Sequence, residues 1–398
     1  VEPLQAQDYD LLLKGGHVID PKNDIDGPVD VAVKDGKIAR VSADISAESS
    51  ERVIDVTGLY VSPGFIDLHG HHFFGTTPDR YLSDSFTAVP ADGFTFRAGV
   101  TTVVDVGGAG WRNFSRFKEQ VIDRSQTRIL SFINIVGDGM SGLPEQNIND
   151  MDPRMTALAA ERYPEIVGIK IAHYEGPDWR TTIERLVEAG NLANIPVMVD
   201  FGRGRPSTEE LFMELLRPGD IFTHAYHPGP HKEQVVGENG RVKPFVFAAQ
   251  EKGIIFDVGH GGGSFVFSQA IPAIEQGLLP NTISTDIHIG SMNAGMKDMS
   301  NVMSKFLNMG LSIQDVILRS TWNPALAIKT PDLGNLSVGA EADIAVFSVR
   351  EGNFGFVDSR RNKLEGNKKI ESELTLLGGQ IVWDLNGLSA SVWNSQAE

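Results

Sequence analysis

Cysteine is absent from this chain, which excludes disulfides, thiolate metal sites and a cysteine nucleophile together. Any metal must therefore sit on histidine, carboxylate or a less common donor. Long apolar runs are missing as well. None approaches the roughly 20 residues that span a bilayer, so a soluble protein with no membrane partner is expected. Nor is there a Lys/Arg run. With 35 basic against 52 acidic residues the formal charge is −17, a balance that argues against nucleic acid and anionic membranes and leaves small molecules or other protein subunits as partners. The first residues, Val1 to Gln7, lack a starting Met and fit either the trimmed remnant of an exported precursor or a cytoplasmic protein. No apolar leader core is present to decide between cytoplasm and periplasm.

What is present begins with 398 residues and an apolar fraction of 41%, more than one core usually holds, so a large domain with an accessory domain is expected. From Tyr9 to Val61 short alternating runs are joined by turn residues. Val31-Ala32-Val33 and Ile38-Ala39-Arg40-Val41 flank Asp35-Gly36, a strong hairpin signal. The same style returns at the far end, where Ala342 to Phe347 reads as a strand and Gly378-Gly379 separates Thr375-Leu376-Leu377 from Ile381-Val382-Trp383. The charged stretch Asp358 to Lys369 reads as a solvated loop. Two β-rich ends around a different middle predict one small composite β-sandwich domain built from both termini, residues 1–59 and 335–398.

The middle, residues 60–334, alternates apolar β-type runs with helical spacing, the pattern of right-handed βαβ units and a parallel sheet. Eight runs can be counted: 61–71, 101–107, 128–136, 165–172, 195–201, 220–226, 254–260 and 282–287. Eight closes a barrel. The fold class expected is therefore α/β, a (β/α)8 TIM barrel carrying the small β-sandwich. An open doubly wound sheet is the competing architecture, and no Gly-x-Gly-x-x-Gly opens the first helix to support it.

In such a barrel the chemistry collects at the carboxyl ends of the strands. Strand one ends in Phe65-Ile66-Asp67-Leu68-His69-Gly70-His71-His72, and strict alternation would set Asp67, His69 and His71 on one face with His72 on the other. Strand four carries Lys170; strands five to eight end in Asp200, His224, His260 and Asp286. Singly, each reads as a cap, a turn residue or a hydrogen-bonded structural histidine. Jointly they do not, because several titratable groups around one barrel mouth cost several kcal/mol per uncompensated charge. Metal cations compensate carboxylates and take neutral imidazoles directly.

At this point the chain resembles the amidohydrolase superfamily, and within it the amidohydrolase/deacetylase group related to dihydroorotases. The resemblance runs over nearly the whole length. It rests on Gly-Phe-Ile-Asp-Leu-His-Gly-His at 64 to 71, Gly168-Ile169-Lys170, Thr223-His224, Asp257-Val258-Gly259-His260-Gly261, Ser284-Thr285-Asp286, Asn323-Pro324-Ala325 and the closing Leu336 to Ala345. It implies two divalent cations, commonly Zn2+. His69 and His71 would hold the first with Asp286, Lys170 carboxylated by CO2 would bridge both, and a strand-five residue and His224 would hold the second. Where the group usually shows histidine after Val197-Met198-Val199, this chain has Asp200. Aspartate can ligate zinc, so the second site survives with a harder ligand, or else Asp200 binds through water and one metal is held; ligand chemistry favours two.

The resemblance further implies a metal-dependent hydrolase that cleaves an amide or ester by metal-activated hydroxide, removing an acyl group such as acetyl from a small substrate that can carry a carboxylate. Asp286 would take and return the proton. His260 would grip substrate or its oxyanion, a structural role being equally open, and Asp67 would orient a ligand imidazole. Arg203 and Arg205 could pair with a substrate carboxylate, while Tyr226, His227, His288 and His72 could line the pocket; for each, a plain surface or loop role competes. A cyclic-amide hydrolase of dihydroorotase or hydantoinase type is the alternative activity. A non-catalytic amidohydrolase-like binding protein is the alternative of another class, and a homo-oligomer is expected by fold analogy.

Overall fold

The computed structural model describes residues 7–75, 77, 80–200, 208–229 and 232–393, and strands are numbered here along the chain. The amino-terminal stretch forms β1 (Tyr9–Lys14), β2 (His17–Asp20), β3 (Ile25–Pro28), β4 (Asp30–Lys34), β5 (Lys37–Ser42), β6 (Ser50–Asp55) and β7 (Tyr60–Pro63). Asp35 and Gly36 make the expected two-residue hairpin between β4 and β5. Both adopt positive φ, 50° and 73°, which the right-handed twist of the flanking strands demands.

The barrel staves follow: β8 (Phe65–Gly70), β9 (Val100–Gly110), β10 (Arg128–Asn134), β11 (Ile166–Ala172), β12 (Val197–Asp200), β13 (Ile221–Phe222) and β14 (Ile255–Phe256). They pair in parallel, each with the next, in one unbroken order. The eighth run closes the ring through isolated bridges, Asp257 to Thr282 on one side and Gly70 to Ile287 on the other. Val258 N–H donates to Thr282 O at 3.1 Å, and His71 N–H to Ile287 O at 3.0 Å. Between the staves Leu68, Val104, Phe132, Met198 and Ile221 form one buried cluster. Gly168 makes room for it, since a Cβ there would lie 1.8 Å from the Phe132 ring.

The carboxyl end supplies β15 (Ile344–Val357), β16 (Lys363–Leu377) and β17 (Gln380–Asp384). One sheet runs β5-β4-β1-β6 and the other β17-β16-β15-β7-β2-β3, so strands from both ends of the chain share a sheet. Leu11, Leu13, Val33 and Ile54 of the first meet Val61, Ile344, Leu374 and Leu376 of the second in one buried cluster. That is the composite sandwich.

The structure corrects three local expectations. The run 61–71 is two strands, because Tyr60–Pro63 pairs with β2 and β15 while the barrel starts at Phe65. Gly64 marks the break: its N–H donates to Asp343 O at 2.8 Å, and a Cβ would lie 2.3 Å from the Thr101 hydroxyl. The stretch Asp358 to Lys369 is mostly strand, paired from Val357 with Lys363 onward, and its charges sit on an exposed arm in pairs such as Lys363 with Glu365 at 3.1 Å. Finally, the register of β8 slips by one residue between Asp67 and Gly70, so strict alternation fails there. Leu68 joins the cluster between the staves, and Asp67 accepts from the Thr285 N–H at 2.9 Å rather than from an imidazole.

Candidate metal centre

A cavity of about 410 Å³ opens at the carboxyl ends of the staves, with His69, His71, Asp200, His224, Asp286 and His288 in its wall. Asp286 Oδ1 lies 2.9 Å from His71 Nε2 and 3.6 Å from His69 Nε2. One donor atom from each of these three buried residues falls within 4.8 Å of the others. The electrostatics suit a cation. Desolvation, reinforced by the nearby Lys170, pushes the His69 pKa down to about 3, which leaves the ring neutral with a lone pair to give. For Asp286 burial works against ionisation, yet the His69 and His71 rings beside it prevail and hold the carboxyl well below the usual range.

The ring of His69 is held in place from behind. Its Nδ1 lies 2.8 Å from Thr223 Oγ1, and Thr223 donates its own hydrogen to Asp257 Oδ2 at 2.7 Å. Thr223 therefore accepts from the imidazole, which fixes the Nδ1–H tautomer and turns Nε2 toward Asp286. Asp257 also accepts from Thr282 and Ser284, at 2.7 Å each, so one buried carboxylate gathers three hydroxyls from two staves. His224 is oriented likewise, with Nδ1 2.6 Å from Gly259 O and Nε2 3.1 Å from Asp200 Oδ2.

Lys170 completes a second group beside the first. It is fully buried, its Nζ 3.6 Å from Met198 Sδ and 3.7 Å from Asp200 Oδ2. The rings of His69 and His224 sit 4.9 Å apart and join the two groups. Burial disfavours a charged Asp200, but His224 and then Lys170 override it, and the carboxyl titrates well below its ordinary value. His224 and Asp286 have φ of 57° and 53°, left-handed conformations that cost a non-glycine residue on the order of 1–3 kcal/mol. Such strain is found where side-chain aim matters more than local stability.

Other expected residues fall elsewhere. His260 is enclosed away from the cavity: it stacks on Phe265 at 4.5 Å, its Nδ1 reaches Gly261 O at 2.9 Å and its Nε2 meets Lys305 Nζ at 2.7 Å. Position along a strand does not fix the direction of a side chain, and these contacts fit the structural role that the sequence left open for His260. Tyr226 belongs to the core, its hydroxyl donating to Leu278 O at 3.1 Å. His72 is likewise buried, with Nδ1 3.0 Å from Val89 O. His227 and His288 do line the cavity. Arg203 and Arg205 lie outside the described residues.

Sequence reasoning gave no role to Thr223 or Asp257, although both stand in quoted strand-end motifs. It missed Lys232, a buried loop residue beside Asp200, and the cavity residues Tyr81 and His173, because loops carry no periodicity to mark them. Among the described residues no helix is long and apolar enough to cross a membrane.

Comparison with known proteins comes to the same place. The sequence profile of the amidohydrolase family matches residues 267–382. A deacetylase of Brucella anthropi is 33% identical over 366 residues, covering 90% of this chain and 88% of its own. The crystal structure of an adenine deaminase superposes with a TM-score of 0.86 at 30% identity, covering 95% of this chain and 100% of its own. That of a dihydroorotase gives 0.82 at 29% identity, covering 94% and 99%.

Proposed function

The chain belongs to the amidohydrolase family, and from that premise we propose that it is a metal-dependent hydrolase removing an acyl group, acetyl foremost, from a small amide or ester substrate. The reading is carried by one observation, the convergence of His69, His71 and Asp286 beside Lys170, Asp200 and His224 at a single cavity. The donor set fits Zn2+: a ring held neutral by burial, a second imidazole and an ionised carboxylate.

In this reading His69, His71 and Asp286 would hold one cation, and Asp200 and His224 would hold a second. Lys170 would serve both as a carbamate, its amine nitrogen bonding to the carbon of CO2 with loss of a proton. When bound, the cations acidify water and polarise the carbonyl under attack. The remaining work falls to the chain. Asp286, ionised and facing the cavity, takes the proton from the attacking water and returns it to the departing nitrogen or oxygen. Thr223 and Asp257 keep the His69 ring from turning. His227 and His288 stand on the wall where substrate must lie.

Zinc-loaded protein assayed against N-acetyl and O-acetyl α-substituted acids, with dihydroorotate, hydantoins and adenine alongside, tests the proposal. Turnover of the acetylated set, lost by about three orders of magnitude or more in Asp286→Asn, is the expected result. Turnover of dihydroorotate or hydantoins alone would favour the cyclic-amide reading, which the dihydroorotase likeness supports. No turnover, with less than one bound metal per chain, would favour a non-catalytic binding protein.

A further inference from the structure

Lys232 is the group no motif anticipates. Its side chain is 4% exposed, although it comes from a loop after β13. The Nζ donates to the backbone oxygen of Thr223, lies over the Phe222 ring at 4.0 Å and faces Asp200 Oδ1 at 4.0 Å. The other oxygen of the same carboxylate, Oδ2, faces His224 at 3.1 Å and Lys170 at 3.7 Å. The two oxygens of Asp200 thus look at different partners. An enclosed ammonium with no closer carboxylate among the described ion pairs needs the Asp200 charge, and Asp200 is buried too.

We propose that Lys232 is a positioning residue that sets how tightly the second cation is held, by engaging Asp200 Oδ1 and leaving only Oδ2 for the metal. A cation placed between Asp200 and His224 must share that carboxylate with a fixed ammonium a few ångströms away. Like charges at that range repel more strongly among buried groups than in bulk water. The first position, on His69, His71 and Asp286, takes its charge from a carboxylate that Lys232 does not engage among the described ion pairs, so the two zinc equivalents bind unequally. This rests on the reading of Asp200 as a ligand, whereas the charge pairing of Asp200 with Lys232 does not.

Competition with a chelator on the full chain separates the equivalents. Lys232→Met is expected to tighten the second zinc equivalent at least tenfold and leave the first within about threefold, while Lys232→Arg, which keeps the charge, leaves both near wild type. With Co2+ in place of zinc, the visible absorption of the second equivalent should shift in Lys232→Met as Asp200 becomes free to use both oxygens. A second equivalent that is unchanged or weaker in Lys232→Met overturns the proposal.

Thermal unfolding of the metal-free chain gives an independent arm. Asp200→Asn removes the carboxylate that both Lys232 and Lys170 face and should lower the midpoint by roughly 5 °C, and Lys232→Met added to it should recover the share of that loss that belongs to Lys232. Additive losses overturn the pairing. If wild type holds no metal but the double variant still rescues, the proposed function fails and the pairing stands.

Discussion

At the scale of single residues the centre depends on groups that never touch a ligand. Thr223 has one hydroxyl and uses it twice, accepting from His69 Nδ1 and donating to Asp257. Thr223→Val keeps the shape and removes both bonds, freeing the His69 ring to turn and leaving the buried Asp257 one donor short. We expect metal affinity to fall by about 10- to 100-fold with the far-UV spectrum unchanged, read by chelator competition. Unaltered affinity would mean the ring is held by packing alone. The structure brings His69, His71, Lys170, Asp200, His224 and Asp286 together at the barrel mouth, and the sequence pointed there because the carboxyl end of a stave implies that mouth. His260 obeys the same rule and yet faces Phe265 and Lys305, since position along a strand says nothing of how a bulky neighbour turns the side chain. Lys232 and His173 reach the site from loops, whose paths depend on contacts distant in sequence.

At the scale of elements the stretch Asp358 to Lys369, where β15 turns into β16, reads in sequence as a loop because exposed strands and loops carry charge alike. The inner end of this hairpin nevertheless touches the barrel. Lys305, on the helix Met299–Asn308, donates to Val357 O at 2.9 Å, to Gly295 O at 2.7 Å and to His260 Nε2 at 2.7 Å, so one buried amine ties hairpin, loop and stave together. Burial pushes its pKa down to about 7 against 10.5 when unfolded. The folded chain then binds fewer protons than the unfolded chain between those values, and stability from this group rises with pH across that window and is lost as pH falls through it. The difference in unfolding free energy between wild type and Lys305→Met should therefore grow in favour of wild type from pH 7 to pH 10 by a few kcal/mol. Denaturant titrations at several pH values measure it, with all other groups cancelling in the difference. A flat difference would show that the ammonium persists in the fold, its three acceptors outweighing desolvation.

At the scale of the whole molecule the chain divides most naturally at Gly64, where the path leaves the terminal sheet and enters the barrel, and again near residue 335, where it returns. The barrel was legible as a count of runs, although the eighth shows no ladder of its own. Its backbone is spent on single bridges and its side chains on the centre: Thr282 and Ser284 bond Asp257, Thr285 bonds Asp67 and Asp286 faces the cavity. The ring is thus closed by the residues that build the site, and the closure contains a left-handed Asp286 and neighbouring buried charges that a bound cation would balance. Metal removal should consequently loosen this seam before the rest. Stripping the protein with a chelator at neutral pH is expected to lower the unfolding midpoint, since a ligand at about 1,000 times its dissociation constant contributes roughly 4 kcal/mol to the folded state. Amide exchange should accelerate at 282–287 and at Gly70 and His71 while the terminal sandwich, with its separate core of Leu11, Val61 and Leu374, keeps its protection. Readdition of Zn2+ should restore both. Uniform acceleration over sandwich and barrel alike would mean that the seam is no weaker than the fold as a whole, and that the cations serve chemistry without serving closure.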